Sequence, residues 1–232
     1  MNTRFLIWVT FVAVLGGLLF GLNMAGISGA VDGIKSDFAL TDSGLGTVAA
    51  LLTIGCLIGA LFTGNFTEKY GRKKVMIATA VLYIISALGC AFAGSSLILI
   101  AFRLLSGLAV GATSVVAPMY ISEIAPAKKR GRLVSFNQFA ITIGIVVAYI
   151  FDYLLVNTGE NNWRYMLAVP AIFGVFYLVF LLLDFPESPR WLFAHGRNEE
   201  AEKILVKLGG QKLVDEELPE MKIALAAEQK KE

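Results

Sequence analysis

The chain has 232 residues, of which 56% are hydrophobic and only 16% charged, whereas a soluble domain carries about 25% charged residues. That excludes a soluble globular protein. Twenty Lys and Arg against 18 Asp and Glu leave a formal charge of +2, too small and too evenly mixed for nucleic-acid binding. Two cysteines inside apolar runs, Cys56 and Cys90, and a single histidine, His195, build neither a disulfide framework nor a Cys/His metal site. No metal and no cofactor is expected.

Phe5 to Val31 carries no charge, and crossing a hydrocarbon core of about 30 Å takes about 20 helical residues. The run is too long for a removable signal peptide and has no clear small-residue cleavage site. Ser43 to Thr67 is the second uncharged run. The third, Val75 to Phe102, exceeds one span and divides at Ala93-Gly94-Ser95-Ser96, a turn signal. Leu97 to Tyr120 is apolar except for Arg103, and Leu133 to Phe151 and Tyr165 to Leu183 complete six spans. These segments lack the short alternating pattern of a membrane barrel. The fold class is therefore an all-α membrane protein: a six-helix transmembrane bundle over residues 1–185, then short charged helices over 186–232.

Six spans put both ends of the bundle on one side. Arg4, the cluster from Lys69 to Lys74, the cluster from Lys128 to Arg132 and everything after residue 185 hold 17 of the 20 Lys and Arg. The excess of positive charge makes that side cytoplasmic. Past Asp184, Ser188-Pro189 starts a short helix that Gly196 closes. Asn198 caps a second, in which Ala201, Ile204, Leu205 and Leu208 recur at helical spacing up to Gly209-Gly210. A third is expected from about Glu217 to Glu228. These helices are either a solvated tail or, as their apolar stripes argue, docked on something cytoplasmic.

An internal echo joins Leu52-Thr53-Ile54-Gly55 to Ile141-Thr142-Ile143-Gly144, 89 residues on. That interval is roughly three helices, the three-plus-three repeat from which transporters are commonly built. Gly107 and Gly111, like Gly55 and Gly59, stand at i and i+4, where small residues let helices approach in lipid. Arg103 is read as the one charge buried in a span, and such a charge is costly enough to mark a functional site. Asn23 falls at similar depth on the first helix and is its neighbour; the alternative is a snorkelling structural arginine. Gln138, in Phe136-Asn137-Gln138-Phe139-Ala140-Ile141-Thr142-Ile143-Gly144, offers one acceptor and two donors to a neutral polyhydroxylated ligand. A lone membrane glutamine is otherwise interhelical glue. Glu68, Arg72, Glu123, Arg130, Glu187 and Arg190 cluster at the cytoplasmic helix ends, either as a conformational latch or as topology-fixing charges.

Several blocks carry a resemblance. Gly64-Asn65-Phe66-Thr67-Glu68-Lys69-Tyr70-Gly71-Arg72-Lys73-Lys74 resembles the major facilitator loop signature, with Glu68 where Asp is more usual. Arg103 with Gly107 and Gly111, then Pro118-Met119-Tyr120-Ile121-Ser122-Glu123, then Arg130-Gly131, then Pro186-Glu187-Ser188-Pro189-Arg190-Trp191-Leu192 follow in order. From Gly16 to Gly210 the chain resembles the sugar porter family of the major facilitator superfamily. The resemblance implies sugar transport by alternating access, not enzyme catalysis. Gln138 is then the sugar contact, with Phe20, Ile141 and Ile145 as apolar neighbours, and the six charged residues named above form the cytoplasmic gate. In the family's proton symporters the position of Asn23 is an aspartate that exchanges the coupling proton against the arginine. Asn23 is similar to the asparagine of facilitative glucose transporters and cannot titrate. Leu22, Met24 and Ala25 also depart from the usual pattern.

Members of that family have two six-helix bundles joined by a cytoplasmic helical linker, and the residues here cover one bundle and the linker. The expected partners are a monosaccharide, the lipid bilayer of an inner or plasma membrane and a second six-helix bundle, supplied by a longer parent, another chain or another copy. The expected function is the N-terminal half of a facilitator. The rivals are a sugar/proton symporter and a non-transporting half-bundle that serves as scaffold or sensor.

Overall fold

A computed structural model describes residues 2–126, 129–211, 213–215, 218, 219 and 221. Of the helix expected from about Glu217 to Glu228, Leu218, Pro219 and Met221 fall among the described residues and are helical; the rest lies outside them. The six spans are α1 (Thr3–Ala25), α3 (Asp42–Tyr70), α4 (Arg72–Ala91), α5 (Ser96–Ile124), α6 (Arg130–Leu155) and α7 (Asn162–Leu182). Each is long and apolar enough to cross a membrane. Side-chain caps start several of them: Thr41 Oγ1 accepts from Gly44 N at 3.3 Å, and Ser95 Oγ from Ile98 N at 3.4 Å. Ser95 makes the division of the third apolar run where the turn signal placed it.

The first run is shorter than its composition implied. α1 stops at Ala25, a turn over residues 26–30 follows, and a separate helix, α2 (Val31–Asp37), lies across the end of the bundle. Gly29 is the reason for the path, because a Cβ there would sit 2.6 Å from Asp152 Cβ. Hydropathy alone could not separate a span from a span, a turn and a cap helix.

The three-plus-three arrangement is built from two glycine seams. In α5, a Cβ on Gly107 would run into Leu52 O and lie 2.9 Å from Cys56 N. In α1, a Cβ on Gly21 would run into Ile141 O and lie 2.8 Å from Ile145 N. Leu52 and Cys56 of α3 are each 89 residues before Ile141 and Ile145 of α6, and Gly21 is 86 before Gly107. The unit α1–α3–α4 and the unit α5–α6–α7 therefore pack first helix on second helix, each against the other, in equivalent register. The four-residue echo is the visible trace of these two seams.

At the end that carries Asn2, α8 (Pro189–Ala194) and α9 (Asn198–Gly209) dock rather than trail. Asn2 N donates to Leu208 O at 2.8 Å, Lys207 Nζ lies 4.4 Å from the centroid of the Phe5 ring, and Lys207 pairs with Asp184. Leu208 enters the main core with Phe5, while Trp191, Leu192, Phe193, Ala201 and Leu205 form a core of their own.

Candidate functional site

Three groups of polar residues stand out against the apolar bundle. The deepest lies where α1 crosses α5. Asn23 is 5% exposed and Arg103 4%. The expected neighbours do meet, but not through the amide: Arg103 Nη1 donates to the Asn23 backbone carbonyl at 3.4 Å. The Asn23 side chain donates from Nδ2 to Leu19 O at 2.8 Å and accepts at Oδ1 from Ser106 Oγ at 2.7 Å. Ser106 was not picked out from the sequence, although it stands three residues beyond Arg103 and so on the same helix face. Cys90, Met166 and Pro170 help to line this pocket. Among the described residues no carboxylate pairs with Arg103, and its Nε has no hydrogen-bond partner. The site is a cation held by neutral dipoles.

Arg103 is not the one charge buried in a span. Asp152, in the last turn of α6, is 7% exposed and accepts from Gly29 N at 3.0 Å. It lies one residue past the apolar run that ended at Phe151, and α6 simply continues to Leu155.

The second group is the α6 surface. Gln138, Ile141 and Ile145 stand at i, i+3 and i+7 and share one face. Gly21 seats against Ile141 and Ile145, which brings Phe20 to the same level. Gln138 is exposed while Ile141, Ile145 and Phe20 are half-buried. A bare amide on a membrane helix needs a protein or aqueous neighbour, so this face is one that lipid alone does not satisfy.

The third group closes the end that carries α8. Arg72, first in α4, donates from Nε and Nη2 to Glu123 of α5 at 3.0 and 2.7 Å, a forked pair whose side chains are 13% and 9% exposed. Its Nη1 donates to Thr67 O at 3.1 Å. Glu187 accepts from Arg72 N at 2.9 Å, Lys73 N at 3.1 Å and Ser188 N at 2.8 Å. Arg72 N and Lys73 N are free N–H groups at the start of α4, where a carboxylate also meets the positive end of the helix dipole, and Ser188 N comes from the N-cap of α8. Burial pushes the Glu187 carboxyl above the usual range, and the three N–H donors with Arg72 pull against that. Glu68 joins through its carbonyl, which accepts from Trp191 Nε1 at 2.7 Å, and its side chain is exposed and forms no ion pair among the described residues. Arg130 starts α6 and makes no ion pair among the described residues. Arg190 lies in the first turn of α8. Of the six residues grouped from the sequence, the cluster is built on Arg72, Glu123 and Glu187.

With this geometry in view, comparison with known proteins is decisive. Residues 9–232 match the family model described as "Sugar (and other) transporter". The chain belongs to the sugar porter family of the major facilitator superfamily. Among sugar porters it is 40% identical to the putative metabolite transport protein YwtG of Bacillus subtilis, over 94% of this chain and 47% of that one. It is 37% identical to the D-xylose-proton symporter of Escherichia coli, over 97% of this chain and 52% of that one. The solved structure of the proton:xylose symporter XylE bound to 6-bromo-6-deoxy-D-glucose superposes with a TM-score of 0.94 at 36% identity, covering 99% of this chain and 55% of that one. The chain spans about half the length of the relatives it matches. It is a membrane-spanning member of a family of sugar transporters, not of enzymes.

Proposed function

We propose that the chain is the N-terminal half of a monosaccharide transporter that works by alternating access with a second six-helix bundle, and that it is a facilitator. Asn23 is the observation that carries this reading. It occupies the contact with α5 beside Arg103, and an amide neither binds nor releases a proton between pH 5 and 8. Gln138 contacts sugar hydroxyls at the face between the bundles, with Phe20, Ile141 and Ile145 as its apolar wall. Arg72, Glu123 and Glu187, with Glu68, Arg130 and Arg190 around them, form the gate at the cytoplasmic end. Both termini are cytoplasmic in an inner or plasma membrane, and residues 186–232 are the linker between bundles; the 17 of 20 Lys and Arg on that side support the orientation.

The test is sugar uptake in proteoliposomes by the chain together with its second bundle, with and without an imposed proton gradient. Equilibration without accumulation in both conditions is expected. Asn23→Asp should introduce a pH-dependent step, because a carboxylate would then face Arg103. Concentrative uptake by the unmodified sequence, abolished by an uncoupler, would overturn the facilitator reading in favour of a symporter, the activity named for the Escherichia coli relative.

A further inference from the structure

The end of the bundle away from α8 and α9 holds a second charged cluster. Asp37, last residue of α2, accepts at Oδ2 from Trp163 Nε1 at 3.0 Å and from Arg164 Nη2 at 3.5 Å. Arg164 lies in the first turn of α7, and its Nη1 donates to Ala91 O at 3.0 Å and Ala93 O at 2.7 Å, carbonyls left open where α4 stops. Its guanidinium stacks 4.2 Å from the centroid of the buried Trp163 ring. One arginine thus gathers α2, the end of α4 and the start of α7.

The internal repeat says what this cluster corresponds to. Asp37 is 86 residues before Glu123, the interval that also separates Gly21 from Gly107 and Leu18 from Leu104, whose helix contacts are equivalent. Arg164 opens the third helix of its unit as Arg72 opens the third helix of the other. The bond from Arg72 to Thr67 O has its counterpart 89 residues on at Val156 O, where Asn162 Nδ2 donates at 2.7 Å. The tasks that Arg72 performs alone are divided there between Asn162 and Arg164. In each case an arginine in the first turn of one unit's third helix binds a carboxylate at or beyond the end of the other unit's first helix, Glu123 in the last turn of α5 and Asp37 past α1 on α2.

We infer that Asp37 and Arg164 form a second latch, the repeat-related counterpart of Arg72 and Glu123 at the opposite membrane face, which holds the two three-helix units together at that end. They are positioning residues and touch no substrate. That this latch faces the outside rests on the orientation proposed above; the cluster and its test do not. A latch at each end gives the bundle two separate places to loosen, as a transporter that opens first to one side and then to the other requires.

Cys90 is a built-in reporter, 3% exposed and adjacent to Ala91, whose carbonyl Arg164 holds. With Cys56→Ser it is the one thiol left, and its labelling by membrane-permeant N-ethylmaleimide in native membranes reads local opening, with no sugar involved. Asp37→Asn should speed labelling by about three- to tenfold, the range for loss of a partly exposed charge pair with its hydrogen bonds. Asp37→Glu, which keeps the carboxylate, should stay within about twofold of the parent. Glu123→Gln, at the other latch, should speed Cys90 labelling less than Asp37→Asn does, because it loosens the opposite end. An unchanged rate in Asp37→Asn would overturn the latch, and so would an equal acceleration in Glu123→Gln, which would mark general loosening instead. Neither result bears on whether the transporter is a facilitator.

Discussion

Arg103 and Arg72 are two arginines of one bundle held in opposite ways. Arg103 is buried in a span with a backbone carbonyl as its hydrogen-bond partner, while Arg72 forks onto Glu123 at an end of the bundle beside the Glu187 carboxylate. Burying a cation without an anion is expensive, so the first arrangement persists because the surrounding helices impose it. The second is compensated, and its cost falls on whichever partner is left behind.

The largest expected effect lies at the paired site. Glu123→Ala leaves the Arg72 guanidinium half-buried without its carboxylate and should destabilise the chain by about 3 kcal/mol, read by denaturant unfolding in detergent. The double variant Arg72→Met with Glu123→Leu should recover most of that loss, since it is the orphaned charge that costs. If the double variant is as unstable as the single one, the pair does more than compensate itself.

At the buried site the expected effect is smaller. Ser106→Ala removes the donor to Asn23 Oδ1 at 2.7 Å and leaves that carbonyl unpaired, which should cost about 1 to 2 kcal/mol. Stability indistinguishable from the parent would mean that water or another donor reaches Asn23, and that the pocket is wetter than its burial implies.

The smallest effect belongs to Glu187. Because burial holds its carboxyl above the ordinary value in the folded chain, its contribution is fully present below the ordinary carboxylate pKa and is lost as pH rises through the raised one. The melting temperature in detergent should therefore fall slightly as pH is raised from about 5 to 7. Glu187→Gln, which keeps one acceptor for Arg72 N and Lys73 N, should flatten that slope while changing stability at pH 5 by less than about 1 kcal/mol. A steeper fall in the variant would show that the N–H donors outweigh burial.

The spans were legible because a run of about 20 uncharged residues has few fates other than a membrane helix, and Ala93-Gly94-Ser95-Ser96 divided the longest run where Ser95 caps α5. Asn23 and Arg103 could be paired from depth alone, since antiparallel helices of known rise put them level. What depth cannot give is azimuth. That Arg103 takes the carbonyl of Asn23, and that Ser106 takes its side chain, follows from how α1 rotates against α5, which the glycine contacts fix. Glu68, grouped with the gate by its place at a helix end and by the family resemblance, is exposed and contributes its carbonyl to Trp191. α2 and Asp152 escaped because an uncharged run does not show where its helix stops or whether the charge that ends it is buried, and the path of the chain there is set by one close contact, Gly29 on Asp152. By itself the sequence determined the number of membrane spans, their order and the charge asymmetry of their ends, all of which depend on composition along the chain. The tertiary structure alone decided which polar groups share partners and that the two halves of the bundle carry equivalent arginine–carboxylate pairs, because those depend on helix rotation and register, to which hydrophobic burial in lipid is indifferent.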